Sequence, residues 1–278
     1  MSPEPGERER YAALLGTMQR LVREPGAERA FAADPDAFLA GGAALGLRAD
    51  DAAGLAALGA NRLFLYRRHV RKSLARAARR QIPRAAARLG DAFDTWVERW
   101  IEAEAPRSRY FRDVAFELVA WAAPRWAGDP TVPAYLGDLA RHELLEFEVA
   151  TAPDETRDAG EPAEIDLAHP VRFDPSARLA RYAHAVHRLD AAEEARDVPE
   201  PEATALFAYR DAAHEVRFLA LTPLAAAILE RLLGGEALGA AVTGGAAALG
   251  FPVDGAVTGS TAALLEDLRA RGALLGGA

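Results

Sequence analysis

The stretch Ala203–Pro223, ATALFAYRDAAHEVRFLALTP, decides the class of the fold. Ala203–Arg210 and His214–Leu221 are two β-prone runs separated by Asp211-Ala212-Ala213, the pattern of a β-hairpin. Thr222-Pro223 then opens a helix, with threonine as a cap and proline at the first helical position. Apolar spacing carries that helix through Leu224, Ile228 and Leu232 to Gly234-Gly235. A weaker helix is expected from Glu236 to Leu249, and a last one after Phe251-Pro252, holding Leu264, Leu265 and Leu268. Upstream, Ile165, Leu167, Val171 and Phe173 alternate in strand fashion, while Ser176–Leu189 reads equally as helix or strand. A hairpin plus three short helices resembles a winged-helix or peptide-recognition module.

Before this region lies Thr151–Glu164, TAPDETRDAGEPAE, polar, acidic and rich in proline and glycine, the composition of a linker. Everything ahead of it reads as helix. Tyr11, Leu14, Leu15, Met18, Leu21 and Val22 keep helical spacing up to Pro25-Gly26, and shorter helices follow through residue 60. After Gly90, with Asp91 as the expected cap, Phe93, Trp96, Val97, Trp100 and Ile101 form a core stripe. A helix over Arg109–Trp121 is expected to point Tyr110, Val114, Leu118 and Trp121 inward. A long helix then runs from Pro133 to about Ala150. The expected fold is α+β: an all-helical domain over 1–150, a linker over 151–164, and a smaller α+β domain over 165–278.

Composition narrows the chemistry. There are no cysteines among the 278 residues, which excludes disulfides, thiolate metal sites and a thiol nucleophile. No apolar run reaches the ~20 residues of a membrane span, and no signal-peptide pattern opens the chain, so the expectation is a cytoplasmic protein. The net charge is −8, yet Arg62–Arg88 contains ten of the 33 cations and no carboxylate. The helix over residues 61–80 concentrates this charge. Leu63, Tyr66, Val70, Leu74 and Ala77 fall on one side, and Arg68, Arg71, Lys72, Arg76 and Arg79 spread over the opposite arc. Such one-signed charge requires a partner surface or distant carboxylates to offset it. Tyr66, Arg67, Arg68, Arg71, Lys72, Arg76 and Arg79 are therefore candidates for a partner or peptide interface.

No catalytic set assembles. The chain has no phosphate-binding glycine loop and no serine elbow. His184 and His187 are three apart, a spacing that serves metal ligation on a helix, but further ligands are not evident. His142-Glu143 lacks the second histidine of a zinc-protease motif. The site expectations are no catalytic residues, no metal and no cofactor in this chain.

The string Tyr66-Arg67-Arg68-His69-Val70-Arg71-Lys72-Ser73-Leu74, followed by Ile82-Pro83, Leu89-Gly90 and Phe93, resembles the N-terminal domain of accessory proteins encoded beside multinuclear non-haem iron enzymes. Arg107-Ser108, Leu139-Ala140 and Glu143 match its later blocks; Phe173-Asp174-Pro175, Tyr182 and Val186-His187 resemble the start of its second domain. The resemblance implies a heterodimer in which the partner barrel enzyme holds the iron. The accessory subunit would capture a ribosomally made precursor peptide for modification, as in methanobactin biosynthesis. A hairpin edge suits an extended peptide, with Phe207, Tyr209, Arg217 and Phe218 as contacts and about half of them facing inward. The rival reading is a DNA-binding transcriptional regulator using the basic helix and a winged-helix-like C-terminal domain. Against it, the last helix carries Glu266 and Asp267 beside only Arg269 and Arg271, a poor match to phosphates.

Overall fold

A computed structural model describes residues 5–154 and 163–278 and divides the chain into two compact units, Met1–Val132 and Pro133–Ala278. The architecture is α+β, as the sequence indicates. Residues 155–162 of the expected linker lie outside the described residues.

The first unit is helical: α1 Pro5–Arg23, α2 Ala27–Ala33, α3 Pro35–Ala43, α4 Ala49–Gln81, α5 Pro83–Leu89, α6 Ala92–Ala103 and α7 Val114–Trp126. One core gathers α1–α4 around Phe31, which meets Phe38 and Phe64 edge to face at 5.9 and 5.8 Å. The predicted stripe of α6 is buried throughout, and Trp96 meets Trp121 and Trp126 of α7 at 6.1 and 6.2 Å. Two local features differ from the sequence pattern. Asp91 makes no side-chain cap. Tyr110 is 46 % exposed because α7 starts only at Val114. Ahead of α7, the carboxylate of Glu117 accepts the backbone N–H groups of Arg107 and Ser108 at 2.7 and 2.8 Å, tying that segment back outside the helix.

The second unit contains α8 Leu136–Ala150, β1 Val171–Phe173, β2 Arg178–Tyr182, β3 Thr204–Arg210, β4 Val216–Leu221, α9 Pro223–Leu233, α10 Leu238–Ala248, α11 Gly255–Ala270 and β5 Leu274–Gly277. The sequence places α8 with the preceding helices. In the structure it packs on β2, β3 and β4 of the second unit. A buried carboxylate anchors it. Asp138 accepts hydrogen bonds from the backbone N–H groups of Ala183 and His184 at 2.9 and 3.1 Å and lies 2.8 Å from the His184 ring nitrogen. His184 and His187 sit at a bend and a 3-10 turn, not on an α-helix, so their spacing does not aim them together as a ligand pair. Among the described residues no group of three or more metal-ligating side chains assembles.

β2, β3 and β4 form an antiparallel sheet with β3 in the centre, and β1 pairs separately with β5. β3 is covered on both faces. Phe207 and Tyr209 join the core made with α9, α10 and α11, while Leu206 and Ala208 are buried on the opposite face, where α8 packs. This explains the nearly continuous apolar run of that strand. The hairpin loop closes with Asp211 N–H donating to Glu215 O at 2.9 Å and with His214 at φ 61°, the left-handed residue of a three-residue loop. Thr222 caps α9 by accepting from Ala225 N–H at 3.2 Å, with Pro223 in the first turn, as the sequence indicates.

Two positive-φ positions give opposite expectations. Gly59 interrupts α4 at φ 72°, ψ 157°, so Gly59→Ala should cost about 1–3 kcal/mol although no neighbour crowds the new methyl group. His214→Gly relieves a left-handed side-chain-bearing residue and should stabilise by about 0.5–1 kcal/mol. Urea unfolding of the two variants measures both; equal signs would contradict this account.

Candidate functional site

The hydrogen bond from Asp211 to Glu215 sets the phase of the hairpin. Residues paired as Tyr209↔Arg217, Phe207↔Leu219 and Ala205↔Leu221 turn their N–H and C=O groups toward each other, because they share the parity of that bond. Val216, Phe218 and Ala220 then direct theirs away from β3. The other side of β3 agrees, since Arg210 N–H donates to Ser176 Oγ at 2.9 Å on the β2 side. β4 pairs with no further strand among the described residues, so this backbone row is an open edge.

Beside the edge runs a groove of about 380 Å³. One wall is Leu219–Leu221 of β4, continued by Leu224 and Ile228 of α9; the other is α11, with Ser260, Ala263 and Leu264. Asp267 also lines it, but its carboxylate accepts from Arg271 Nε at 2.7 Å. The groove is thus largely apolar and flanked by main-chain donors and acceptors that β3 does not use. This is the geometry that strand addition uses: main-chain bonds for affinity and pockets for alternate side chains.

The four residues named from the hairpin fall differently around it. Phe207 and Tyr209 are 0 % and 2 % exposed and belong to the core, because the β3 face they share packs on α9, α10 and α11. Phe218 is half-buried, its ring 4.8 Å from that of His142 of α8. Arg217 is exposed and tied to Asp211 at 2.7 Å and to Glu215, which holds its guanidinium above its ordinary pKa. The sequence marks Leu224, Ile228 and Leu264 as apolar helix positions but not as groove contacts. Their signal, an apolar stripe on each helix, is indistinguishable from ordinary core spacing.

The basic helix α4 divides into two sets. Arg67 donates to the carbonyls of Leu21 and Glu24 at 2.6 and 3.0 Å, and Arg71 donates to that of Val22 at 2.9 Å. These guanidinium groups close the C-terminal end of α1, where carbonyls lack helical partners. Glu102 of α6 offsets both, 3.5 Å from Arg67 and 2.9 Å from Arg71. Burial and the neighbouring Arg71 hold the Arg67 pKa below its ordinary value. Arg68 meets Glu28 at 3.1 Å, and Arg79 meets Asp94 at 3.0 Å while lying over the Phe93 ring. Distant carboxylates therefore offset these four cations. Lys72 and Arg76 are exposed and have no ion pair among the described residues, and Tyr66 is 48 % exposed.

The two sets should separate by stability. Arg71→Ala leaves α1 carbonyls and Glu102 without their buried partner and should cost about 2–4 kcal/mol. Lys72→Ala should stay within about 0.5 kcal/mol. Denaturant midpoints decide; a Lys72 cost equal to that of Arg71 would contradict the division.

No curated protein matches the chain. Residues 175–269, which include β2, β3, β4, α9, α10 and nearly all of α11, match the family model described as the HvfC C-terminal domain.

Proposed function

We propose that this chain is an accessory subunit that captures a ribosomally made precursor peptide and presents it to a multinuclear non-haem iron enzyme. The iron belongs to the partner, and no cofactor is assigned to this chain. The single observation that carries the reading is the open edge of β4 beside the β4–α9–α11 groove, which lies wholly within the matched segment 175–269. The sequence resemblance around Tyr66–Phe93 supports the same class from the other unit.

The physics of capture follows from the edge. An extended peptide laid along β4 pairs its backbone with Val216, Phe218 and Ala220, each net bond contributing about 0.5–1.5 kcal/mol. Every second side chain then faces α11 and enters the groove, where burying one leucine-sized group contributes about 1.5–3 kcal/mol. Main-chain pairing alone reads little sequence, so the groove supplies selection. No acid, base or nucleophile of this chain takes part. Its contribution to the reaction is position, holding the peptide beside the partner's metal site.

Ala220→Pro removes one outward N–H and places a ring on the free edge, a position where edge strands tolerate proline. Ala263→Trp fills the groove from α11. Each should weaken binding of a labelled precursor peptide by tenfold or more in fluorescence anisotropy, with circular dichroism unchanged. Co-expression with an iron enzyme encoded nearby should give a stable heteromeric complex in both variants. Wild-type peptide affinity in both variants would sink the groove assignment, and a chain that stays apart from the enzyme would sink the accessory role.

A further inference from the structure

We infer that a second groove, between α4 and α6 in the N-terminal unit, is a docking site for an acidic polypeptide segment. It encloses about 390 Å³. Its apolar lining is Ala75 and Val97, and its charged rim is Arg71, Lys72, Arg76 and Arg79 against Asp94 and Glu98. Two of these cations are already used within the fold. Arg79 pairs with Asp94 at 3.0 Å, and Arg71 approaches Glu98 at 3.8 Å and Glu102 at 2.9 Å. What remains is Lys72 and Arg76, one helical turn apart on the same face, exposed and without an ion pair among the described residues.

Two like charges at that spacing oppose each other and weaken the helix slightly. Nothing in α4 relieves them, because no carboxylate lies between Arg62 and Arg88. A ligand that brings two negative groups about a turn apart removes the repulsion and gains the attraction. The chemistry selects polypeptide over nucleic acid. Nucleic-acid affinity grows with the number of phosphates neutralised. This groove offers only two cations not already paired among the described residues, with Asp94 and Glu98 interrupting the positive surface, whereas a short peptide needs only two contacts. A peptide can place glutamate or aspartate opposite Lys72 and Arg76 and set a small apolar side chain over Ala75 and Val97. The remainder of the protein is acidic, so an acidic partner meets less repulsion along the Arg62–Arg88 segment, which contains Lys72 and Arg76, than elsewhere.

This groove lies outside residues 175–269, and the inference stands apart from peptide capture at β4. The test uses the full chain and a short fluorescein-labelled peptide of alternating glutamate and alanine, read by anisotropy at low and at physiological ionic strength. The wild type should bind, more weakly at the higher salt. Lys72→Glu/Arg76→Glu should lose about tenfold or more in affinity, and Lys72→Gln/Arg76→Gln should fall between. Ala220→Pro should bind the acidic probe as the wild type does, which separates this site from the β4 groove. Circular dichroism and melting temperature confirm that both charge variants fold. Absence of wild-type binding, or charge reversal without effect, would overturn the proposal. So would tighter, Lys72- and Arg76-dependent binding of duplex DNA at the same salt.

Discussion

The second unit depends on the double burial of β3. Strand Thr204–Arg210 is sealed by α8 on one face and by α9, α10 and α11 on the other, and it is paired on both edges. A strand so enclosed can offer nothing to a ligand, which leaves the unpaired backbone rows of this sheet to its two outer strands, β2 and β4, and the groove lies beside β4. The Asp211–Glu215 bond then fixes which residues of β4 face out. A slip of one residue would exchange the outward set Val216, Phe218 and Ala220 for Arg217, Leu219 and Leu221 and would turn the groove-lining leucines to the opposite face of the sheet. Core packing and presentation of the edge are thus a single constraint.

In the first unit the corresponding constraint is electrostatic. A block of ten cations in an acidic protein looks like a docking surface when read along the chain. Folding spends part of it internally. Arg67 and Arg71 meet the carbonyls at the end of α1, and Glu102 makes burial of both guanidinium groups tolerable. A buried cation is stable only when paired and hydrogen-bonded, and these two are both. Of the cations lining the α4–α6 groove, Lys72 and Arg76 stay exposed without an ion pair among the described residues, a smaller and more localised feature than the block suggests.

What was legible in the sequence was local. The hairpin, the Thr222-Pro223 helix start and the α6 stripe are short-range patterns whose physical causes lie within a few residues. What was not legible involved partners distant in sequence. Helical spacing marks α8 as a helix but cannot say which unit it serves; Asp138 meets backbone groups 45 and 46 residues away. Alternation along β3 suggests one covered face, and only the arrival of α8 shows two. The three-residue spacing of His184 and His187 aligns side chains on an α-helix, whereas the chain here turns through a 3-10 bend. The β1–β5 pairing joins Val171 to Gly277, a contact that no local pattern announces.

The two proposed surfaces would act over different ranges, a difference that suits the proposed accessory role. Attraction at Lys72 and Arg76 extends over about a Debye length, ~8 Å at physiological salt, and governs encounter more than final affinity. Main-chain pairing at β4 acts only at hydrogen-bond distance and governs register, because each outward backbone group accepts one alignment of the peptide. A subunit that must bring two polypeptides together needs both properties. Long-range charge finds a partner without specifying its geometry, and strand pairing specifies geometry without finding the partner. In the proposed role the positional precision rests on β4 and therefore on the burial of β3. In that proposed role the charged groove would affect how quickly a complex forms, leaving the alignment of the peptide to the strand.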